Sequence, residues 1–388
     1  MDGMMPKPKI VIAVYNPIEY DGRVKRSCET LASHYEVKLY CLSGSTTFNC
    51  DQYEIIRHAH FNKIRSSLLR QLIFWFGFIY FVWKQKPQLV YAHDFFLALP
   101  GVLAAKLVGA TSVYDAHELI IPEPSLKMSF RDAIFYFCEK VSIKHHQIVI
   151  AANKQRSQLM AEHYGLNILP VVVRNITKIT YNNSIVSEVL EKYPELKKKS
   201  GDIHIVYMGD MNLSRGIGQI IDAIFLLPNN YKLILVGTGP DLAMIRAIAI
   251  ASTSDKLRII GNIPNNDIQD VISTGDLGVI VYSMIGLNNF YCSPNKIFEY
   301  TQAGLPVITT CQPPLKEMVE KYGIGVVVGC ESALIQTSYA DAIRLVASNL
   351  RQYRNQIPLF LQQHKLEAEQ EILLNVIMPY LSTKDHKA

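Results

Sequence analysis

Short runs of aliphatic and β-branched residues recur along the chain and alternate with stretches of helical period. The first set falls at residues 9–15, 36–42, 89–92, 111–115, 147–151 and 168–173. Continuous apolar runs of this length, each followed by a helical segment, predict parallel strands buried on both faces of an α/β sheet. After a polar stretch at 175–199 the pattern restarts at 204–208, 232–236, 257–260, 277–282, 306–310 and 325–328. The expected fold class is α/β, with two Rossmann-like doubly wound parallel-sheet domains facing a cleft. The expected boundaries are an N-terminal domain at 1–175, a linker at 176–200, a second domain at 201–362, and a tail at 363–388. That tail carries a periodic segment, 366–382, suited to a helix that packs back on the first domain.

One stretch breaks the alternation. Residues 72–83 read Leu-Ile-Phe-Trp-Phe-Gly-Phe-Ile-Tyr-Phe-Val-Trp, between Arg70 and Lys84. As a helix it would be about 18 Å long, short of the roughly 20 residues a bilayer crossing needs. Two readings stay open: a buried core helix, or a partly exposed aromatic helix that meets a lipid interface.

Composition narrows the class. A length of 388 residues exceeds one growing core, and 49% hydrophobic with 19% charged residues excludes a disordered or fibrous chain. The seven cysteines are scattered, with no Cys-x-x-Cys pair, which excludes a zinc knuckle and fits a reducing compartment. The apolar run at 10–15 is too short for a signal-peptide core, so a cytoplasmic location is expected, with peripheral contact at the inner face of a membrane as its variant. Residues 1–180 carry a net charge of +7 and residues 181–388 one of −2. A basic first half suits anionic headgroups or a phosphate-bearing acceptor, or is a merely solvated surface. Nucleic acid is not an expected partner, because no recognised module for it is present.

Chemistry is sought in the loops after strands, since open parallel sheets bind ligands beyond the carboxyl ends of their strands. In the segment 293–306, Ser293 reads as an N-cap and Pro294 as the first residue of a helix, which Gly304 and Pro306 close after about three turns. Backbone N–H groups at that terminus and the charge of Lys296 suit a diphosphate. Asn295, Lys296 and Glu299 share a helical face, so Glu299 could accept hydrogen bonds from ribose hydroxyls. An exposed Lys–Glu pair explains the spacing equally well. In the loop 209–216, which opens at Gly209, Arg215 offers a planar fork for phosphate oxygens. Gly237 and Gly239, after the next strand, permit close backbone approach.

The string Ser293-Pro294-Asn295-Lys296-Ile297-Phe298-Glu299-Tyr300, with Ala303-Gly304-Leu305-Pro306-Val307, the Arg215-Gly216 pair and Val236-Gly237-x-Gly239-Pro240, resembles the donor half of family 4 glycosyltransferases of GT-B fold. Asp21-Gly22-Arg23, His93-Asp94 and Tyr114-Asp115-Ala116-His117-Glu118 extend the resemblance into the first half, so that it covers nearly the whole chain. It implies a retaining enzyme that moves a sugar from a nucleotide-diphosphate sugar to an acceptor hydroxyl. In that reading Arg215 and Lys296 neutralise the diphosphate and Glu299 holds the ribose. Gly22 lets the first domain's loop close over the phosphates, and His117 lines the reaction centre. Gly261-Asn262-Ile263 meets the nucleobase through backbone groups. The implied donor set also includes Gly209, Gly237, Gly239, Ser293 and Asn295. The sugar and acceptor pocket draws on Arg23, His93, Asp94, Glu118 and Tyr291. Tyr291 departs from the pattern, since many members carry a glutamate there.

A retaining reaction of this kind places growing negative charge on the departing diphosphate, which two cations can stabilise without a metal. The chain has no Asp-x-Asp pair, so neither metal nor cofactor is expected. A glycan or lipid-linked acceptor, in cell-envelope polysaccharide or glycolipid synthesis, fits the basic first half. Three other readings remain: a nucleotide-sugar epimerase of the same architecture, a catalytically idle nucleotide-sugar-binding subunit, and a metal hydrolase built on His93, Asp94, Asp115, His117 and Glu118. His145, His146 and His163 are given no role.

Overall fold

A computed structural model describes residues 7–44, 48–59, 64–124, 126–177, 186–264, 267–329 and 335–382. The chain divides into two compact units, Met1–Asn175 with Glu367–Ala388, and Ile176–Leu366.

In the first unit the described strands are β1 (Lys9–Pro17), β2 (Glu36–Leu42), β3 (Glu54–His58), β4 (Leu89–His93), β5 (Thr111–Ala116), β6 (Ile148–Ala151) and β7 (Val171–Val172). They form a parallel sheet in the order β3-β2-β1-β4-β5-β6-β7. β3 has no counterpart among the strands expected from sequence. It is an edge strand without a fully buried position, so it needs no continuous apolar run and leaves little periodic signal.

Each face of this sheet has its own core. On one, the helix Gly22–Ala32 and the C-terminal helix Leu366–Ser382 pack over the strands, with Leu373, Ile377 and Leu381 buried among Ile10, Ile12 and Leu39. Glu369 fastens the C-terminal helix by accepting hydrogen bonds from Arg174 N (2.7 Å) and Nη1 (2.8 Å). On the other face lies the helix Ser67–Gln85, where Phe74, Phe78 and Val82 are fully buried against Val11, Ala13 and Val90. Its outer side is open, with Phe76 72% and Tyr80 61% exposed. The segment is thus a core helix on one side and exposed on the other. Among the described residues no helix is long and apolar enough to cross a membrane.

Beside it, the helix Phe130–Ser142 buries Glu139, which accepts hydrogen bonds from the Tyr114 and Tyr164 hydroxyls. Burial raises its carboxyl to about 7, well above the usual value of about 4.3. Between those values the native state keeps a proton that the unfolded chain has released, so stability falls as pH rises through this window and levels off above it. The expected contribution is about 3 kcal/mol from pH 4.5 to 7. Glu139→Gln should remove this part of the slope. Urea unfolding followed by tryptophan fluorescence checks it, because both tryptophans, Trp75 and Trp83, belong to the first unit.

The second unit holds β8 (Ile203–Met208), β9 (Tyr231–Val236), β10 (Leu257–Ile260), β11 (Leu277–Ile280), β12 (Val307–Thr309) and β13 (Gly325–Val327), all parallel, in the order β10-β9-β8-β11-β12-β13. Ile176, Val189 and Leu196 are buried in its core, so residues from the stretch read as a linker pack into this unit. Residues 178–185 of that stretch lie outside the described ones. Among the described cysteines, Cys28, Cys41, Cys50, Cys138 and Cys292 are free. Cys311 is disulfide-bonded.

Candidate functional site

In the second unit the strand order reverses direction between β8 and β11, the place where an open parallel sheet leaves a crevice. The two strands pair only at Ile205 with Leu277 and Val206 with Gly278. Beyond that point the Met208 N–H donates to the Tyr300 hydroxyl at 2.9 Å. Tyr300 is fully buried, and a Cβ added at Gly278 would come within 2.4 Å of its ring. The glycine thus lets the ring lie flat on the sheet, and the hydroxyl supplies the ladder bond the diverging strands have lost. Tyr300→Phe leaves the Met208 N–H unpaired, and a loss of about 1–3 kcal/mol in the second unit's stability is expected from denaturant unfolding.

A cavity of about 340 Å³ opens at this crevice, lined by Gly209, Asp210, Arg215, Ser293, Asn295 and Lys296 beside the ends of β8 and β11. Arg215 and Lys296, far apart in sequence, line one cavity. Arg215 Nε is 3.3 Å from Asp210 Oδ2, and Lys296 Nζ is 3.2 Å from Glu299 Oε2. Asn295 Oδ1 is buried without a hydrogen-bond partner. Glu299 stands behind Lys296 rather than on the cavity wall, and is itself mostly buried.

The helix that carries Lys296 begins later than Ser293. It runs Lys296–Gln302, with Asn295 at its N-cap and no side-chain capping bond. The Asn295 carbonyl accepts from Phe298 N and Glu299 N, so the turn closes at Asn295, and Ser293 and Pro294 lead into it as part of the cavity wall. Two turns of helix add little dipole, and the positive potential rests on Arg215 and Lys296.

Gly237 and Gly239 also differ from expectation, since neither lines the cavity. A Cβ on Gly237 would fall 2.0 Å from Gly209 O, and one on Gly239 2.5 Å from Met211 N. The loop they belong to binds the one after β8 through Met211 N to Thr238 O and Asp241 N to Met211 O, both 2.9 Å. These glycines let one loop lie against the loop that carries Arg215. Ile263 has its side chain in the core, and Tyr291 follows the short helix Leu287–Phe290 with its ring edge-on to Phe290.

In the first unit the corresponding reversal lies between β1 and β4. Gly22 opens the helix after β1, capped by Asp21, whose side chain accepts from Val24 N. Arg23, in that first turn, is 8% exposed and committed inward: Nη2 donates to Asp115 Oδ1 at 2.7 Å, Nε to Oδ2 at 3.0 Å, and Nη1 to Val173 O. The Tyr91 hydroxyl donates to Asp115 Oδ2 at 3.0 Å. Arg23 is thus the counter-ion of a buried carboxylate and not a pocket residue. Beside burial, which acts the other way, the guanidinium and neighbouring imidazoles hold the Asp115 carboxyl well below its ordinary value.

His93 is also fully buried, stacked on Tyr91, and sits behind His117 instead of in a pocket. Its Nδ1 lies 2.9 Å from His117 Nε2 and 3.4 Å from Asp115 Oδ2. His117 is half-buried, and burial lowers its imidazole to about 4, so it is neutral at pH 7. Glu118 is exposed. Asp94 holds φ +68° and ψ 157° and accepts from Phe95 N at 2.8 Å, a conformation sparsely populated outside glycine and a mark of functional loops. Burial, then Glu118, pushes its carboxyl well up.

His93, Asp115 and His117 bring donor atoms within 4.8 Å of one another. They do not fit a cation well. Both Asp115 oxygens are taken by Arg23 and Tyr91, the two imidazoles bond each other, and a dication would face a buried guanidinium. The cluster is internally paired. Sequence patterns missed Tyr91, the bond from Arg23 to Asp115, and Asp210 as the partner of Arg215, since none has a spacing that announces it.

A family model described as "Glycosyl transferases group 1" matches residues 188–358, within the second unit. No curated protein matches the sequence. Sucrose-phosphate synthase from Thermosynechococcus elongatus superposes with a TM-score of 0.75 at 16% identity, covering 98% of this chain and 100% of its own. HepE from Anabaena, in complex with UDP and glucose, gives 0.73 at 16%, covering 96% and 100%. WaaG, a glycosyltransferase involved in lipopolysaccharide biosynthesis, gives 0.74 at 15%, covering 95% and 99%. The family match falls within the second unit, and the superpositions over both units show that the chain has the GT-B fold of these structures.

Proposed function

We propose that the protein transfers a sugar, with retention of configuration and without a metal ion, from a nucleoside-diphosphate sugar to the hydroxyl of a glycan or lipid-linked acceptor. The observation that carries this reading is the placement of Arg215 and Lys296 on one cavity at the crevice between β8 and β11. A diphosphate leaving group gains negative charge in the transition state, and two fixed cations in a partly water-excluded cavity favour that state over the ground state. Each cation is already held by a carboxylate, Arg215 by Asp210 and Lys296 by Glu299. In this reading Glu299 also takes the ribose, and Asn295 Oδ1 offers an unfilled acceptor beside the donor.

The first unit supplies His117. A neutral imidazole hydrogen-bonds the transferred sugar and does not itself compete for the acceptor's proton, which passes to the departing phosphate as the acceptor oxygen attacks from the same face. Structural relatives crystallised with UDP and with UDP-glucose make UDP-sugars the first donors to try. The work is done at the cytoplasmic face of a membrane, toward envelope polysaccharide or glycolipid.

Thermal shift against a panel of nucleotide-sugars tests the donor site. At about 100 times its dissociation constant the true donor should add about 2.7 kcal/mol and raise Tm by about 5 °C or more. Sugars on the wrong nucleotide should leave Tm in place. If no nucleotide, nucleoside diphosphate or nucleotide-sugar moved it, the reading would fail.

A further inference from the structure

The helix Ser67–Gln85 shows a continuous apolar stripe on its outer side: Leu69 48%, Leu72 43%, Phe76 72%, Tyr80 61% and Trp83 51% exposed. The spacing of three and four residues puts all five on one line about 21 Å long. The stripe does not end with this helix. The helix Ala98–Val108 packs beside it on the same face of the sheet, and Phe130–Ser142 packs beside that one. Away from the sheet the second exposes Leu103 (48%) and Leu107 (56%), and the third Phe130 (79%), Phe137 (63%) and Val141 (42%). With neighbouring helices about 10 Å apart, the apolar surface reaches about 400 Å², the size of the largest patch on an ordinary monomer, which is often functional.

Its charge is one-sided. The first two helices contain no acidic residue, and in the third Glu139 is buried, which leaves Asp132. Exposed cations stand on or beside the helices, including Lys84, Lys86, Lys106, Arg131 and Lys140. A second copy docking face to face would bring like charges together. A surface of anionic lipid meets both demands: the cations reach headgroups, while the aromatic rings enter the boundary with the acyl chains, where Trp and Tyr are favoured.

We infer that this three-helix face of the first unit is a docking surface for an anionic phospholipid membrane. The inference rests on the proposed membrane-borne acceptor for its purpose, but its geometry stands without that reading. It also specifies that the apolar residues, not the cations alone, hold the protein in place.

The test uses the full chain and vesicles of phosphatidylcholine with or without phosphatidylglycerol. Binding is followed by co-sedimentation and by the blue shift of tryptophan emission. The native protein should bind anionic vesicles at low salt at least about tenfold more tightly than neutral ones. Phe76→Ser with Tyr80→Ser should weaken binding at least about tenfold at unchanged Tm, because about two aromatic side chains' worth of burial is lost. Lys84→Glu with Lys86→Glu should remove much of the salt dependence.

Binding by the serine variant as tight as native would overturn the inference. So would native protein that ignores anionic vesicles, including the case in which sedimentation shows a dimer that the serine variant abolishes. The donor-induced thermal shift, read in the same preparations, keeps the two proposals apart. A retained shift without vesicle binding removes only the docking surface, and vesicle binding without any donor response removes only the transferase reading.

Discussion

Replacing Arg215 with alanine should lower kcat by about two to three orders of magnitude while leaving the fold intact. The guanidinium is roughly half exposed, and its ion pair with Asp210 is also partly exposed. Such a pair contributes about 1 kcal/mol or less to stability. Its value lies in the reaction: an always-charged planar fork, held in place before the donor arrives, meets oxygens whose charge grows as the glycosidic bond breaks. Losing an interaction that strengthens in the transition state lowers kcat, whereas losing one felt equally by the bound donor raises KM alone. Arg215→Lys keeps the charge and loses the fork, and should fall between native and alanine. Lys296→Ala should produce a loss of the same kind, and the double variant should lose less than the product of the two, since both cations act on one group. Steady-state kinetics on the preferred donor, or slow donor hydrolysis in the absence of acceptor, reads all four. An Arg215→Ala rate within about threefold of native would remove the diphosphate assignment.

Asp115→Asn should destabilise the first unit by about 3–5 kcal/mol. Arg23 and Asp115 are 8% and 1% exposed, and the pair is bidentate. The amide keeps the shape and removes the charge, which leaves a guanidinium buried without a counter-ion. Because the folded carboxyl is held below its ordinary value, the native contribution is complete above about pH 4 and declines as pH falls through the lower folded value. The difference between native and variant should therefore be flat from pH 5 to 8 and shrink in acid. Arg23→Met with Asp115→Leu should recover most of the loss, since the penalty belongs to the unpaired charge and not to the absence of the pair. Urea unfolding read by tryptophan fluorescence confines the measurement to the first unit, because both tryptophans lie in it. A difference below about 1 kcal/mol would mean that solvent reaches the guanidinium.

The motif around Lys296 was legible because its chemistry is local: charge, proline and glycine follow one another along one strand-to-helix connection. What the residues do there was less legible. Ser293 and Pro294 read as a helix start, yet the turn closes on the Asn295 carbonyl, and a cap's position depends on where the backbone is anchored. Here the anchor is Tyr300, bonded to Met208 across the crevice. Gly237 and Gly239 read as a phosphate-binding pair, and a glycine's neighbours in space are invisible in sequence. Their neighbours are Gly209, Asp210 and Met211. The family resemblance made Arg23 and His93 pocket residues, but direction of the side chain decides access, and both turn inward to Asp115.

The sequence by itself determined the alternation of buried strands and helices, and with it two parallel sheets, because a strand covered on both faces has to be apolar throughout. It also determined which loops carry cations, because those loops follow strands in fixed order. Only the tertiary structure decided which of these groups meet. Arg215 with Lys296 at one cavity, Arg23 with Asp115, and the shared outer face of three helices are all consequences of how the strands and their crossovers are ordered. Strand order is set by how separated segments pack against one another, a cooperative property that no local pattern encodes.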